Sequence, residues 1–260
     1  MSKANPSNPS AALVTGASRG LGAGMARALL SRGYQVFGCG RSDRSEVPAQ
    51  AHFHYFPLDV TDAHQGPAVL KEELGKVECL DTVVLNAGIL GNIRDLRETP
   101  LKELREVMET NLWANKWILD ELLQRWSPIR QVVAISSGAS VSGLRGWGGY
   151  GLSKAALNML IKLYAAECGK THFSAFAPGL IATQMQDDIA AMPEDERYPT
   201  IERLKEARGT AGMPDANEAG EKVVAAFDRL LRCENGSFQD IRKLGEAPSG
   251  RGRWDMEDGR

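Results

Sequence analysis

The chain has 260 residues, 43% of them hydrophobic and 25% charged, with a formal net charge of −2. That balance suits a globular protein with a sizeable core, and with no long basic run nucleic acid is not an expected partner. No run of about 18 apolar residues suggests a membrane span, and the opening MSKANPSNPS has no apolar signal segment, so the expected location is cytoplasmic.

Residues 1–10 read as a disordered lead-in, and AALVTG (11–16) as the first strand. LGAGMARALLSRG follows, with Leu21, Met25 and Leu29 at helical spacing and Gly33 as a stop. YQVFGCG (34–40) is the second strand and HFHYFPLDV (52–60) the third. Pro57 has no N–H to donate, which places the third strand at a sheet edge. His52 and His54 alternate along it and share one face. LDTVVLNAG (80–88), QVVAISS (131–137) and HFSAFAPG (172–179) are the remaining apolar runs.

Helices fill the gaps. Thr99-Pro100 starts one that runs from Leu101 into the 120s. Another spans Gly151 to Cys168, with an apolar face of Leu152, Ala156, Met159 and Leu163. Leu157, Leu160 and Ile161 widen that face until the helix reads as buried on most sides. The alternation predicts an α/β fold: one Rossmann-type domain, a doubly wound parallel sheet of about seven strands with helices on both faces. The domain covers 11–244, with a Pro/Gly-punctuated lid at 184–222 and a loosely ordered tail at 245–260. The cysteines (Cys39, Cys79, Cys168, Cys233) are scattered and read as reduced thiols. The four histidines form no metal pattern, so no metal is expected.

TGASRGLG, Thr15 to Gly22, stands where the first strand meets the first helix. That is where an open α/β sheet binds a dinucleotide. Glycines let the backbone approach a pyrophosphate, and the helix N-terminus offers free N–H groups. The spacing is G-x-x-x-G-x-G (Gly16, Gly20, Gly22). The second strand ends Gly40-Arg41-Ser42, without the acid that holds the ribose 2′-OH in an NAD site. Arg41 can pair with a 2′-phosphate, with Arg19 in support. NADP (NADPH) is therefore expected, with Asp43 the residue against it.

In YGLSK, Tyr150 and Lys154 sit one helical turn apart on one face. Alone, the pair reads more readily as a surface pair. With TGASRGLG, Asp59-Val60, LNAG (Leu85 to Gly88), Asn111 in ETNLWAN, Ser137 in ISSGAS and APGLIAT (Ala177 to Thr183), the chain resembles the short-chain dehydrogenase/reductase family. The resemblance runs in order from residue 11 to about 185, and Ser137 keeps the family's spacing of 13 residues to Tyr150. Two departures stand out: Leu85 replaces an asparagine, and NGSFQDI (235–241) stands for the usual VDGG-like last strand.

The resemblance implies a catalytic set of Asn111, Ser137, Tyr150 and Lys154. It implies cofactor contacts from Gly16, Ser18, Arg19, Gly20, Leu21, Arg41, Asp59, Val60, Asn86, Ala87, Gly88, Tyr150, Lys154, Pro178, Gly179, Ile181 and Thr183. Tyr150 would be the general acid or base, its phenol made more acidic by the Lys154 cation. Ser137 would donate to the substrate oxygen, and Asn111 would help position a water linked to Lys154. The reaction implied is NADP(H)-dependent interconversion of a carbonyl and an alcohol. Leu90, Gly91, Ile93, Leu144, Trp147, Met185, Met192 and Tyr198 are candidate walls for an apolar or aromatic small-molecule substrate; ordinary packing is the other reading. Arg145 reads as a solvated loop charge, with a contact to a substrate anion as the other reading. The family implies a homodimer or homotetramer through the two long helices, with Trp113, Trp117 and Leu122 as contacts or as core. An NADP(H)-binding regulatory protein with little turnover is the alternative function.

Overall fold

Residue alternation in the first strand shows how the sheet is covered. Ala11 and Leu13 face one core cluster, and Ala12 and Val14 face another. The computed structural model describes residues 10–244; the expected lead-in (residues 1–9) and tail (residues 245–260) lie outside the described residues. In chain order the elements are β1 (Ala11–Thr15), α1 (Gly20–Ser31), β2 (Gln35–Gly40), β3 (Phe53–Pro57), α2 (Gly66–Glu73) and β4 (Leu80–Leu85). Then come α3 (Leu101–Met108), α4 (Ala114–Trp126), β5 (Gln131–Ile135), α5 (Ala139–Ser142), α6 (Gly148–Glu167) and β6 (His172–Ala177). α7 (Gln184–Ala190), α8 (Pro199–Ala207), α9 (Ala216–Ala225), α10 (Phe227–Leu230) and β7 (Phe238–Asp240) complete the domain.

The seven strands are all parallel, in the order β3-β2-β1-β4-β5-β6-β7. β1 and β5 are buried along their whole length, as strands covered on both faces must be. The chain winds outward from β1 to one edge and from β4 to the other. A crevice therefore opens at the carboxyl ends of β1 and β4. Under one face, Leu70 of α2, Ile118, Leu119 and Leu122 of α4, and Leu157 and Ile161 of α6 pack on Leu13, Leu85 and Phe173. Under the other, Met25 and Leu29 of α1 and Val223 of α9 pack on Val14, Val84, Val133 and Phe176.

The expected fold class holds, with local differences. β3 is an edge strand as Pro57 required, though His52 lies just before it. The helix expected from Leu101 is interrupted by a π-helical turn at Glu109–Trp113, between α3 and α4. α6 starts at Gly148, so Tyr150 lies within its first turn. α6 is not buried on most sides: Leu152, Met159 and Leu163 are exposed. Residues 216–222 of the expected lid belong to α9, which packs on α1 in the core. NGSFQDI supplies β7, paired to β6.

Candidate active site

The glycine turn is shaped by close approach. Gly16 and Gly20 have φ of 68° and 57°, in the left-handed region where a side chain is strained. A Cβ on Gly22 would overlap the Gly16 carbonyl oxygen. α1 then opens with no side-chain cap on its first turn, which leaves N–H groups toward the crevice. Asn86 braces the turn from β4: its Nδ2 donates to the Thr15 carbonyl at 2.9 Å and to the Gly16 carbonyl at 3.2 Å. The Thr15 hydroxyl accepts the Asn86 and Ala87 amides at 2.9 and 3.1 Å. Thr183, from the Pro178-Gly179 turn, closes on Gly20 from the other side: a Cβ there would be 3.5 Å from Thr183 Cγ2. This narrow, glycine-lined cradle fits the pyrophosphate of a dinucleotide.

The structure places the other residues expected at the cofactor as follows. Arg41 is exposed at the end of β2. Asp59 Oδ1 accepts from the Thr61 amide at 2.9 Å, and the Val60 carbonyl accepts Trp117 Nε1 at 2.8 Å, fixing the turn after β3. Leu21 and Ile181 are buried against the α1 side of the core. Leu85, the departure from the family asparagine, is core on the opposite face.

Ser137, Tyr150 and Lys154 meet at the carboxyl end of β5. Lys154 is buried, and its Nζ donates to the Ile135 carbonyl at 2.7 Å. Its ammonium lies 5.7 Å from the centre of the Tyr150 ring. Burial pushes the ammonium down to about 8. Burial raises the Tyr150 phenol, and a hydrogen bond with Ser137 pulls it partly back. Desolvation is the larger of the two, so the phenol stands above its ordinary value. Gly88 of LNAG leaves the room the cluster needs. A Cβ there would sit 3.1 Å from Asn111 Oδ1 and 3.4 Å from Lys154 Nζ.

Asn111 lies in the π turn, fully buried. Its Oδ1 accepts the Ile89 amide at 2.8 Å, and its Nδ2 donates to the Ile89 carbonyl at 2.8 Å and to Ser153 Oγ at 2.9 Å. Ser153 Oγ in turn donates to the Tyr150 carbonyl at 2.8 Å. These bonds brace the segment after LNAG against α6. Ser153 stands between the tyrosine and the lysine on the helix. Asn158 is not singled out by the sequence: it accepts from Ser136 Oγ at 2.6 Å and donates to Ser140 Oγ at 2.9 Å, tying the loop after β5 to α6.

Six of the proposed wall residues come together. Leu90, Ile93, Trp147, Met185 and Met192 pack around Tyr198 with Ile189, Ile201 and Leu204. Trp147 meets Tyr150 edge to face, ring centres 6.2 Å apart. Leu144 is exposed instead, and Gly91 sits against Val107. Arg145 is no free loop charge: it forms a two-pronged pair with Asp95, Nε to Oδ1 at 2.7 Å and Nη2 to Oδ2 at 2.6 Å. That guanidinium holds the Asp95 carboxyl below its usual range. The Asp95 amide donates to the Tyr198 hydroxyl at 3.0 Å, tying the start of α8 to the segment that carries Asp95.

The short chain dehydrogenase family profile matches residues 10–194. The chain belongs to the short-chain dehydrogenase family. This dehydrogenase is 30% identical over 221 residues to the benzil reductase ((S)-benzoin forming) IRC24 of Saccharomyces cerevisiae, covering 78% of this chain and 84% of that one. It is 26% identical to the benzil reductase ((S)-benzoin forming) of Bacillus subtilis, covering 89% of this chain and 98% of that one. The crystal structure of KRED1-Pglu enzyme superposes with a TM-score of 0.77 at 26% identity, covering 88% of this dehydrogenase and all of that chain. The family uses a nicotinamide dinucleotide, which the glycine cradle fits. Among the described residues no three or more His, Cys, Asp or Glu side chains form a metal-binding group, and no helix is long and apolar enough to cross a membrane.

Proposed function

We propose that this protein is an NADP(H)-dependent oxidoreductase that interconverts a ketone or aldehyde and its alcohol by hydride transfer, with Tyr150 as general acid and base. The observation that carries this reading is the meeting of Ser137, Tyr150 and Lys154 beside Gly88, at the switch point of the sheet and next to an apolar lid. A bound nicotinamide supplies or takes the hydride. In reduction, Tyr150 gives its proton to the carbonyl oxygen as charge builds there. Ser137 hydrogen-bonds the same oxygen, favouring the charged transition state. Lys154 offers positive charge to the phenolate left behind and a donor to the cofactor ribose. Gly16, Gly20 and the first turn of α1 hold the pyrophosphate, and Arg41 with Arg19 holds the 2′-phosphate.

Benzil, named in two relatives, is a diketone flanked by aromatic rings. The cluster of Leu90, Ile93, Trp147, Met185, Met192 and Tyr198 offers walls of matching character. An apolar or aromatic ketone is therefore the substrate class, with vicinal diketones tested first. NADPH absorbance should decay with benzil in the presence of the protein. Silence across diketones, ketones and aldehydes, with tight NADPH binding, would favour the regulatory alternative.

Cofactor choice has its own expected result. Arg41→Asp removes a charge-assisted hydrogen bond worth roughly 1.5–3 kcal/mol and adds repulsion. NADPH affinity should fall by tenfold or more, on the order expected for such a loss, while NADH affinity hardly changes. Fluorescence titration of both cofactors reads this directly, and equal loss for both would remove Arg41 from the 2′ site.

The assembly proposed is a homodimer or homotetramer through α6 and the π turn. Leu152, Met159 and Leu163 are 53%, 55% and 52% exposed in one stripe along α6, and Trp113 is 50% exposed. Leu122 is core, and Trp117 packs against core. Leu163→Glu should convert the assembly to monomers in light scattering; an unchanged mass would place the interface elsewhere. The free cysteines among the described residues agree with the cytoplasmic location proposed here.

A further inference from the structure

Gly40, at the end of β2, is a glycine without a backbone reason. The described glycines with positive φ do not include it. It is buried in the sheet, next to the exposed Arg41. What it lacks is room. A Cβ on Gly40 would lie 2.9 Å from the Tyr55 hydroxyl oxygen and 3.4 Å from both Cβ and Oγ of Ser18. Tyr55 comes from the edge strand β3, where it pairs with Gly38. Its phenol reaches along β2 and donates to the Ser42 carbonyl at 2.9 Å. The Ser18 side chain hydrogen-bonds the same phenol. One hydroxyl thus joins the glycine turn to the turn that carries Arg41 and Ser42. Two further bonds hold that turn in place: Ser45 Oγ to the Ala17 carbonyl and the Glu46 amide to the Ser18 carbonyl, both at 2.7 Å.

We propose that Tyr55 is a cofactor-specificity residue: its phenol fills the place where an NAD site keeps its acid and sets the Arg41–Ser42 turn toward a 2′-phosphate. This rests on the NADP reading above. A carboxylate at position 40 is the group that accepts the 2′-OH of NADH. Here it meets the phenol before it can reach a ribose, and making room breaks the bond to Ser42. Reversal of cofactor preference therefore requires two substitutions, one on each strand, and the two are coupled.

The test is a double-mutant cycle on the full chain, read as NADPH and NADH dissociation constants by fluorescence titration, with thermal unfolding to confirm folding. Tyr55→Val suits an edge strand and removes the phenol. Gly40→Asp alone should weaken NADPH by tenfold or more and leave NADH no tighter than in wild type. Gly40→Asp with Tyr55→Val should bind NADH at least about fivefold tighter than Gly40→Asp alone, a coupling near 1 kcal/mol. Tyr55→Val alone should weaken NADPH a few fold and leave NADH unchanged. If Gly40→Asp by itself tightens NADH and Tyr55→Val adds nothing, the proposal is overturned. Should Gly40→Asp not fold, Gly40→Ala carries the same collision without charge. It should weaken both cofactors and be rescued by Tyr55→Val; no rescue overturns the proposal. Equal wild-type affinities for the two cofactors would sink the NADP reading separately, because the coupling is read on NADH.

Discussion

Tyr150→Phe is expected to lower kcat for carbonyl reduction by about 10²- to 10⁴-fold, the usual worth of a positioned general acid. NADPH affinity should change by less than about threefold, since the loss is confined to one oxygen. The substitution leaves the ring in place, edge to face with Trp147 and beneath the Lys154 ammonium. It leaves Lys154 on the Ile135 carbonyl and Ser153 on the main chain of residue 150, so the cluster keeps its form. What disappears is the proton donor and its hydrogen bond with Ser137. Burial raises the phenol, which keeps it protonated at neutral pH, the form that reduction needs. Lys154, brought down to about 8 by its own burial, still carries charge for most of its population at pH 7. The measurement is NADPH consumption with the best diketone, beside a cofactor titration. Turnover at the wild-type rate would mean that the proton comes from elsewhere, and equal loss of binding would mean that the hydroxyl serves the cofactor rather than the substrate.

What the sequence disclosed is local. The apolar runs of β1, β4 and β5 and the glycine turn after β1 follow from short-range rules, and each lies where those rules put it. The parallel sheet follows from alternation, because parallel strands need crossovers. Features that depend on distant partners left no such mark. The π turn at Asn111 adds a residue to a helix with no proline or glycine to announce it; only the close pair Asn111 and Asn115 hints at it, the second donating to the main-chain carbonyl of the first at 2.8 Å. Arg145 looked solvated because its partner, Asp95, is 50 residues away. α6 reads as buried because hydropathy alone cannot tell a core face from an exposed apolar one. The start of α9 is hard to read because Pro214 and the glycines before it resemble the rest of the excursion, while Asp215 caps α9 through the Asn217 and Glu218 amides. Tyr55 and Gly40 became meaningful only once β2 and β3 were side by side.

Gly24→Ala should be strongly destabilising, at about 3 kcal/mol or more, the upper end for overpacking. The sequence offers no warning, since alanine is the better helix former and Gly24 lies inside α1. The reason is the crossing of α1 and α9. A Cβ on Gly24 would overlap the Ala216 carbonyl oxygen and lie 2.8 Å from its carbon. On the facing helix, a Cβ on Gly220 would overlap the Gly24 carbonyl carbon and sit 2.6 Å from its oxygen. Both collisions are with main chain, so no rotamer change relieves them. α9 cannot easily slide away either: its start is capped by Asp215, and Arg27 of α1 donates to Asn217 Oδ1 at 2.7 Å. If α1 shifts instead, its N-terminus moves with it, and the cradle at Gly16 and Gly22 opens. Urea unfolding should show a lower midpoint with an unchanged slope, and the folded fraction should bind NADPH more weakly. Gly33→Ala is the control. Gly33 has φ of 83° with nothing within 4 Å of its missing Cβ, so its cost is left-handed backbone strain alone, about 1–2 kcal/mol. A midpoint shift for Gly24→Ala no larger than that of Gly33→Ala would mean that the two helices part freely and that their glycines do not set the position of the cofactor cradle.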